Sequence, residues 1–311
     1  MLRALPIALT LVLAACASRR ASDSSSMPAE PRDSRGSAPS IAAAAAKDQP
    51  NSKDSSRPAE KIAGGLTETE FKALHAAPAG STVPLKGRDV EVGGAKAYLS
   101  LPEGAKGPLP GVVVIHEWWG LNDNVKHWTD RIAAEGYAAL AVDLYGGTIA
   151  KTADEAMAAI QKVDDAKAHA ILRAGHAFLV KDERVRAPRT ASIGWCFGGR
   201  KSLELALIEP DLDAAVVYYG NPITDAELLA PMKAQLLGVF GSRDKSIPAD
   251  KVGGFRNALT SARKNFEVRE YDADHAFANP SNPRYDEANA DAAWQVTRAF
   301  LRRVLVTESP R

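Results

Sequence analysis

The chain has 311 residues, of which 45% are hydrophobic and 25% charged, and its formal net charge is +1. That is ordinary globular composition, with length for one large domain and something added. No dense Lys/Arg run supplies the basic face of a nucleic-acid binder. Two cysteines exclude a disulfide framework, and no Cys/His cluster has the spacing of a metal site, so no metal or other cofactor is expected.

The chain opens "MLRALPIALTLVLAAC": one positive charge at Arg3, then an apolar run from Ala4 to Ala15. The run is too short to span a bilayer and suits a signal-peptide core, so residues 1–15 are expected to be a signal peptide. It ends in "LAAC", which resembles a bacterial lipobox with Cys16 as the lipidation site. An ordinary secretory signal with a chance cysteine is the competing reading. Acyl chains on Cys16 would hold the mature protein at a membrane in the cell envelope. Ala17 follows, with no aspartate of the kind that resembles an inner-membrane retention signal. The expected place is therefore the periplasmic face of the outer membrane. Residues 16–60 are rich in Ser, Ala, Pro, Asp and Arg and nearly free of large apolar side chains. Such a segment buries too little to offset its ordering entropy and reads as a disordered tether. The folded domain is expected over 61–311.

That domain begins with "KIAGGLTETEFKAL", a short amphipathic helix. "DVEVGGAKAYLSL" reads as a hairpin turning at Gly93-Gly94. "PGVVVIHE" is a continuous apolar strand of the doubly buried kind. A helix follows, with Leu121, Val125, Trp128 and Ile132 on one stripe and Gly136 closing it. "YAALAVDLYGG" is a strand. Residues 153–182 read as one long helical stretch. Strand "RTASIGW", helix "GRKSLELALIE", strands "LDAAVVYYG" and "QLLGVFGSRD", helix "DKVGGFRNALTSARKN" and strand "FEVREYDADH" come next. A last helix is expected from about Tyr285 to Val304, with Tyr285, Ala288, Ala292, Val296 and Phe300 on its inner face. Alternating strands and helices imply an α/β fold, a mostly parallel sheet covered on both faces, with chemistry at the strands' carboxyl ends.

"GWCFGG", Gly194 to Gly199, places Cys196 straight after a strand. A buried cysteine acting as a small hydrophobe is one reading. The other is the thiol version of G-x-S-x-G, with a nucleophile on the sharp turn between strand and helix. A nucleophilic thiol needs a base and an orienting acid. Asp244 and His275 each follow a strand too, and nucleophile, acid, histidine is the chain order of α/β-hydrolases. His116, ending "VVVIH", is the rival base. Asp272 and Asp274 are rival acids, but neighbours in sequence rarely face each other. A redox role for Cys196 lacks a resolving cysteine if Cys16 is lipidated.

"VVVIHEWWGLND", "YAALAVDLYGG", "GWCFGG", "VVYYGNP", "GSRDKSIP" and "DHAFAN", in this order over roughly 87–305, resemble the dienelactone hydrolase family. The resemblance implies an α/β-hydrolase fold, a Cys196-Asp244-His275 triad, and small carboxylic esters or lactones as substrates. It assigns Glu117 as the active-site glutamate that regulates the thiol. It implies an oxyanion hole from the Phe197 and Trp118 backbone N–H groups, and a pocket walled by Trp119 and Tyr145. Family members acting on dienelactone carry arginine where this chain has Asn279, so the resemblance implies ester or lactone hydrolysis more firmly than dienelactone itself. The alternative from another class is a non-catalytic envelope lipoprotein that uses the fold for binding. Nothing in the sequence specifies an oligomeric state.

Overall fold

A computed structural model describes residues 68–75 and 84–306. The expected signal segment 1–15, Cys16 and the tether 16–60 lie outside the described residues. The centre is an eight-stranded sheet with strands in the order β1-β2-β4-β3-β5-β6-β7-β8. These are β1 Arg88–Val92, β2 Ala95–Ser100, β3 Gly111–Ile115, β4 Ala138–Val142, β5 Thr190–Trp195, β6 Ala214–Tyr218, β7 Gln235–Gly241 and β8 Phe266–Tyr271. The β1-β2 hairpin is antiparallel and joins β4 antiparallel; every pairing from β4 through β8 is parallel. Gly93 and Gly94 both take positive φ at the hairpin turn, as a two-residue connection of this hand requires. All residues of β3, β4, β5 and β6 are buried, which is why their sequences are apolar apart from Thr190 and Ser192 of β5.

Helices cover both faces. On one lie α1 (Glu68–His75), α2 (Asp123–Ala134) and α8 (Glu287–Leu305); on the other, α4 (Asp165–Lys181), α5 (Phe197–Ile208) and α7 (Ala249–Ser261). Asn122 caps α2 by accepting the Val125 N–H at 3.2 Å, and Val125, Trp128 and Ile132 point inward as expected. Full burial of such side chains contributes about 1.5–3 kcal/mol each. α2 also buries Arg131, which the stripe did not show. Its guanidinium pairs with Glu68 of α1 at 2.8 Å and lies over the rings of Phe71, Trp128 and Trp294.

Two expectations need correction. Residues 153–182 form two helices, α3 (Ala153–Gln161) and α4, with α4 started afresh by Asp164, which accepts the Lys167 N–H at 3.1 Å. The last helix begins at Glu287, capped by Asp286, and its buried face is Ala290, Ala293, Trp294, Thr297, Phe300, Leu301 and Val304. Ala288 and Ala292 are exposed, because Trp294 takes the inner position and sets the rotation. A short helix, α6 (Ala226–Leu229), sits in the β6–β7 connection.

Candidate active site

Cys196 ends β5 and stands at the N-cap of α5 with φ 53° and ψ −114°. A non-glycine residue there carries backbone strain, the kind found where the surroundings hold a functional group in place. The neighbouring glycines show what holds it. A Cβ on Gly194 would overlap the Gly198 carbonyl, and one on Gly198 would overlap the carbonyl of Ile115 at the end of β3. A Cβ on Gly199 would stand 2.6 Å from the Tyr218 carbonyl oxygen. The Cys196 N–H donates to that same carbonyl at 2.9 Å. Strand, turn and helix are thus pressed together between the ends of β3 and β6, and only glycine fits on each side of the thiol.

His275 lies beyond β8 and Asp244 beyond β7. Gly241 packs so closely on the Ala273 backbone that a side chain would clash, and the Arg243 N–H donates to Ala273 O at 3.0 Å, so the two loops are fastened to each other. His275 Nδ1 meets Asp244 Oδ2 at 2.6 Å. The other Asp244 oxygen accepts the Ser246 and Ile247 N–H groups at 2.8 and 3.1 Å. Asp244 is 3% exposed, so its carboxylate is committed on both oxygens. Burial opposes the charged form of His275, but hydrogen bonds to Asp244 and Cys196 outweigh it and hold the imidazole up to about 10. Burial likewise pushes the Asp244 carboxyl up, but its bonds from His275 and the two amides carry it below the ordinary range. The carboxylate is thus bonded to the imidazole, and the thiol of Cys196 lies close enough to the same ring to act on its charge.

The rivals are excluded by their own partners. His116 is fully buried between the rings of Tyr145 and Phe197, with Nε2 accepting from the Leu144 N–H at 3.1 Å. That bond places its proton on Nδ1, which donates to the Glu117 carbonyl at 2.6 Å. Burial pushes this imidazole down, towards neutrality. Asp272 and Asp274 turn to Arg243, at 2.6 and 3.8 Å.

Glu117 follows β3 and is buried. Its Oε2 accepts from the Asn279 amide at 2.6 Å and its Oε1 from the Tyr219 hydroxyl at 3.3 Å. Burial raises its carboxyl, against the pull of these donors and of the charge on His275. Tyr219 was not singled out from the sequence. It sits at φ 36° directly after β6, its ring 5.2 Å from His275. Its only signal was place: the last aromatic of "VVYYG", at a strand end.

Asn279 was expected in the substrate pocket. The structure gives its amide to Glu117, beside a small cavity of about 20 Å³ that both line with Trp119, Trp128 and Trp195. The rings of Trp118 and Trp119, in the loop after β3, meet at 4.9 Å with their planes tilted by 60°. Phe197 is the first residue of α5, where a backbone N–H has no intrahelical acceptor. Tyr145 packs against His116 and Phe197, and its hydroxyl is buried without a hydrogen-bond partner among the described residues. Burial first, then the nearness of Cys196, raise that hydroxyl above its usual range. Among the described residues, no group of three or more His, Cys, Asp or Glu could hold a metal ion.

Residues 95–305 match the dienelactone hydrolase family. A protein of Salmonella typhimurium, provisionally named a carboxymethylenebutenolidase, is 32% identical over 241 residues, covering 69% of this chain and 83% of its own. Protein usf of Aquifex pyrophilus is 34% identical, covering 68% of this chain and 94% of its own. A crystal structure from Klebsiella pneumoniae, provisionally described as a dienelactone hydrolase, superposes with a TM-score of 0.65 at 30% identity, over 70% of this chain and 98% of that one. The mostly parallel eight-stranded sheet agrees with these matches, and the chain belongs to the dienelactone hydrolase family, built on the α/β-hydrolase fold.

Proposed function

We propose that this chain hydrolyses small carboxylic esters or lactones, with Cys196 as nucleophile, His275 as proton carrier and Asp244 as its orienting acid. The observation that carries this is the strained Cys196 turn facing an imidazole fixed by a doubly committed carboxylate. A sheet needs no such arrangement for packing alone. The competing reading, a non-catalytic binding protein of the envelope, has no observation in its favour.

The thiol sulfur attacks the carbonyl carbon, and the proton it leaves resides on His275. The oxyanion is received by the Phe197 and Trp118 N–H groups. Collapse breaks the bond to the leaving oxygen, which takes the His275 proton; from a lactone, that oxygen stays tethered as a hydroxyl. His275, now neutral, takes a proton from water, which attacks the thioester and frees Cys196. Glu117 restrains the resting thiol, since a nearby carboxylate disfavours the thiolate. The chemistry proposed uses side chains and backbone alone.

The test is hydrolysis of p-nitrophenyl acetate. Wild type turns over, and Cys196→Ala falls by about three orders of magnitude or more. Equal rates would sink the proposal. We also propose that Cys16 is lipidated and holds the protein at the periplasmic face of the outer membrane, on the strength of "LAAC" after its apolar run. Cys16→Ser should then leave the membrane fraction in a Gram-negative host. Unchanged fractionation would refute it.

A further inference from the structure

A cavity of about 690 Å³ lies beyond the carboxyl end of β4, between the β1-β2 turn and helices α3 and α4. That is the size of a small-molecule site. Its floor is apolar, with Leu144, Ala168 and Ile171 buried. α3 and its C-cap form one wall with Glu155, Ala158, Ala159 and Lys162, residues at helical spacing that share a face. Only Ala156 of α3 is buried, so this wall faces the space instead of a packed partner.

The charges around the cavity are unequally committed. Asp143 accepts the N–H groups of Tyr145 and Gly147, Asp164 caps α4, and Glu155 accepts the Lys151 N–H at 2.7 Å. Each carboxylate is turned to backbone. Lys96, Lys162 and Lys167 also line the cavity, and their ammonium groups have no ion pair among the described residues. Tyr145 belongs to both regions: it lines this cavity, and its ring packs on His116 and Phe197 beside the nucleophile.

We propose that this cavity binds an amphipathic carboxylate, its carbon chain on the Leu144–Ile171 floor and its charge among Lys96, Lys162 and Lys167. Resting on the hydrolase reading above, it follows that the favoured esters carry an anionic group at the far end of the acid portion. Such an acid portion would run from Cys196 past Tyr145, which lines the cavity and packs on Phe197. The cation missing at position 279 is then supplied by a different wall, and Asn279 is left to hold Glu117.

Binding is tested apart from turnover. The full chain carrying Cys196→Ala is titrated by calorimetry with 4-phenylbutanoate, and with 4-phenylbutan-1-ol as the uncharged control. The carboxylate is expected to bind more tightly than the alcohol and to weaken as salt rises. Adding K96Q, K162Q and K167Q together should weaken it about ten-fold, three exposed charge contacts acting at once, and leave the alcohol unchanged. Ala159→Trp, which fills the cavity and spares the lysines, should weaken both. In the active chain, the triple lysine variant should raise KM for p-nitrophenyl hemiesters of dicarboxylic acids, with kcat and p-nitrophenyl acetate hydrolysis unchanged. The proposal is overturned if the carboxylate does not bind, binds no better than the alcohol, or is indifferent to both variants. If it binds as expected but no ester is cleaved by the active chain, the site stands and the hydrolase reading falls.

Discussion

Two buried glutamates divide this molecule into a part built to hold and a part built to react. Glu68, 5% exposed, meets a full cation: Arg131 at 2.8 Å, itself enclosed by Phe71, Trp128 and Trp294. Glu117, 9% exposed, meets only the neutral amide of Asn279 and the hydroxyl of Tyr219. The first is a clasp that fastens α1 to α2 and α8, and its charges cancel. The second keeps a carboxyl buried with no cation bonded to it, within reach of the charge on His275. Stability alone gives no reason to maintain the second arrangement, since a buried carboxyl with no cation bonded to it costs desolvation.

The largest expected effects on rate lie at the reacting end. His275→Ala should remove about three orders of magnitude or more from turnover of p-nitrophenyl acetate, and Asp244→Asn about two to four, through lost orientation of the imidazole. Neither loss should be matched at the clasp: Arg131 and Glu68 variants that remain folded should keep kcat near wild type. A comparable kcat loss in Glu68→Gln would erase the division.

The pH dependence sharpens it. The folded value for His275, about 10, is raised above its ordinary one. Its pair with Asp244 therefore adds stability that is full below about pH 6.5, the unfolded value, and is lost as pH rises through about 10. Asp244 is lowered, so its share is present above about pH 4 and fades as pH falls through its folded value. The imidazolium must also give its proton to the leaving oxygen. The rate should thus decline on an alkaline limb near 10, and Asp244→Asn should move that limb to lower pH. A limb that does not move would contradict the assigned partner.

The clasp should show itself in stability. Glu68→Gln leaves Arg131 buried without its counter-charge and should cost about 3 kcal/mol, lowering Tm by about 10 °C. Glu117→Gln, by contrast, should leave Tm unchanged or slightly higher in a thermal melt. It should speed alkylation of Cys196 by iodoacetamide by about ten-fold, because a neighbouring anion is gone. The smallest effect is expected from Asn279→Arg. A guanidinium there would offer carboxylate-bearing lactones a second cation, but Glu117 competes for it at the same place. The gain in kcat/KM should be about three-fold, less than a free bidentate pair would give. A loss on acidic lactones, with neutral esters unaffected, would show that the substrate lies elsewhere.

The reacting end was the more legible of the two. Cys196, Asp244 and His275 each lie just beyond the carboxyl end of a strand, and a parallel sheet gathers strand ends by topology alone. Gly194 and Gly198 were visible as punctuation, and their reason appeared only in the approach of β3 to the turn. The clasp was hidden. Arg131 sits one position before Ile132 on α2, where a stripe of apolar residues registers nothing, and its partner lies 63 residues upstream on α1. Tyr219 was hidden for a similar reason: a long-range hydroxyl contact leaves no local period. The break between α3 and α4 was there to be read in Asp164, whose capping role looks like any polar residue until the helix restarts. The inner face of α8 was misplaced because small alanines on the exposed side imitated an apolar stripe.

The most direct test of the account is mass spectrometry of the protein after brief exposure to a slowly hydrolysed ester. An acyl adduct should appear on the peptide containing Cys196, persist longer in His275→Ala if it forms there at all, and be absent from Cys196→Ala, which should also be inactive. Undiminished ester hydrolysis by Cys196→Ala, with no adduct on the wild-type peptide, would contradict the account and leave Cys196 as a strained but unreactive turn.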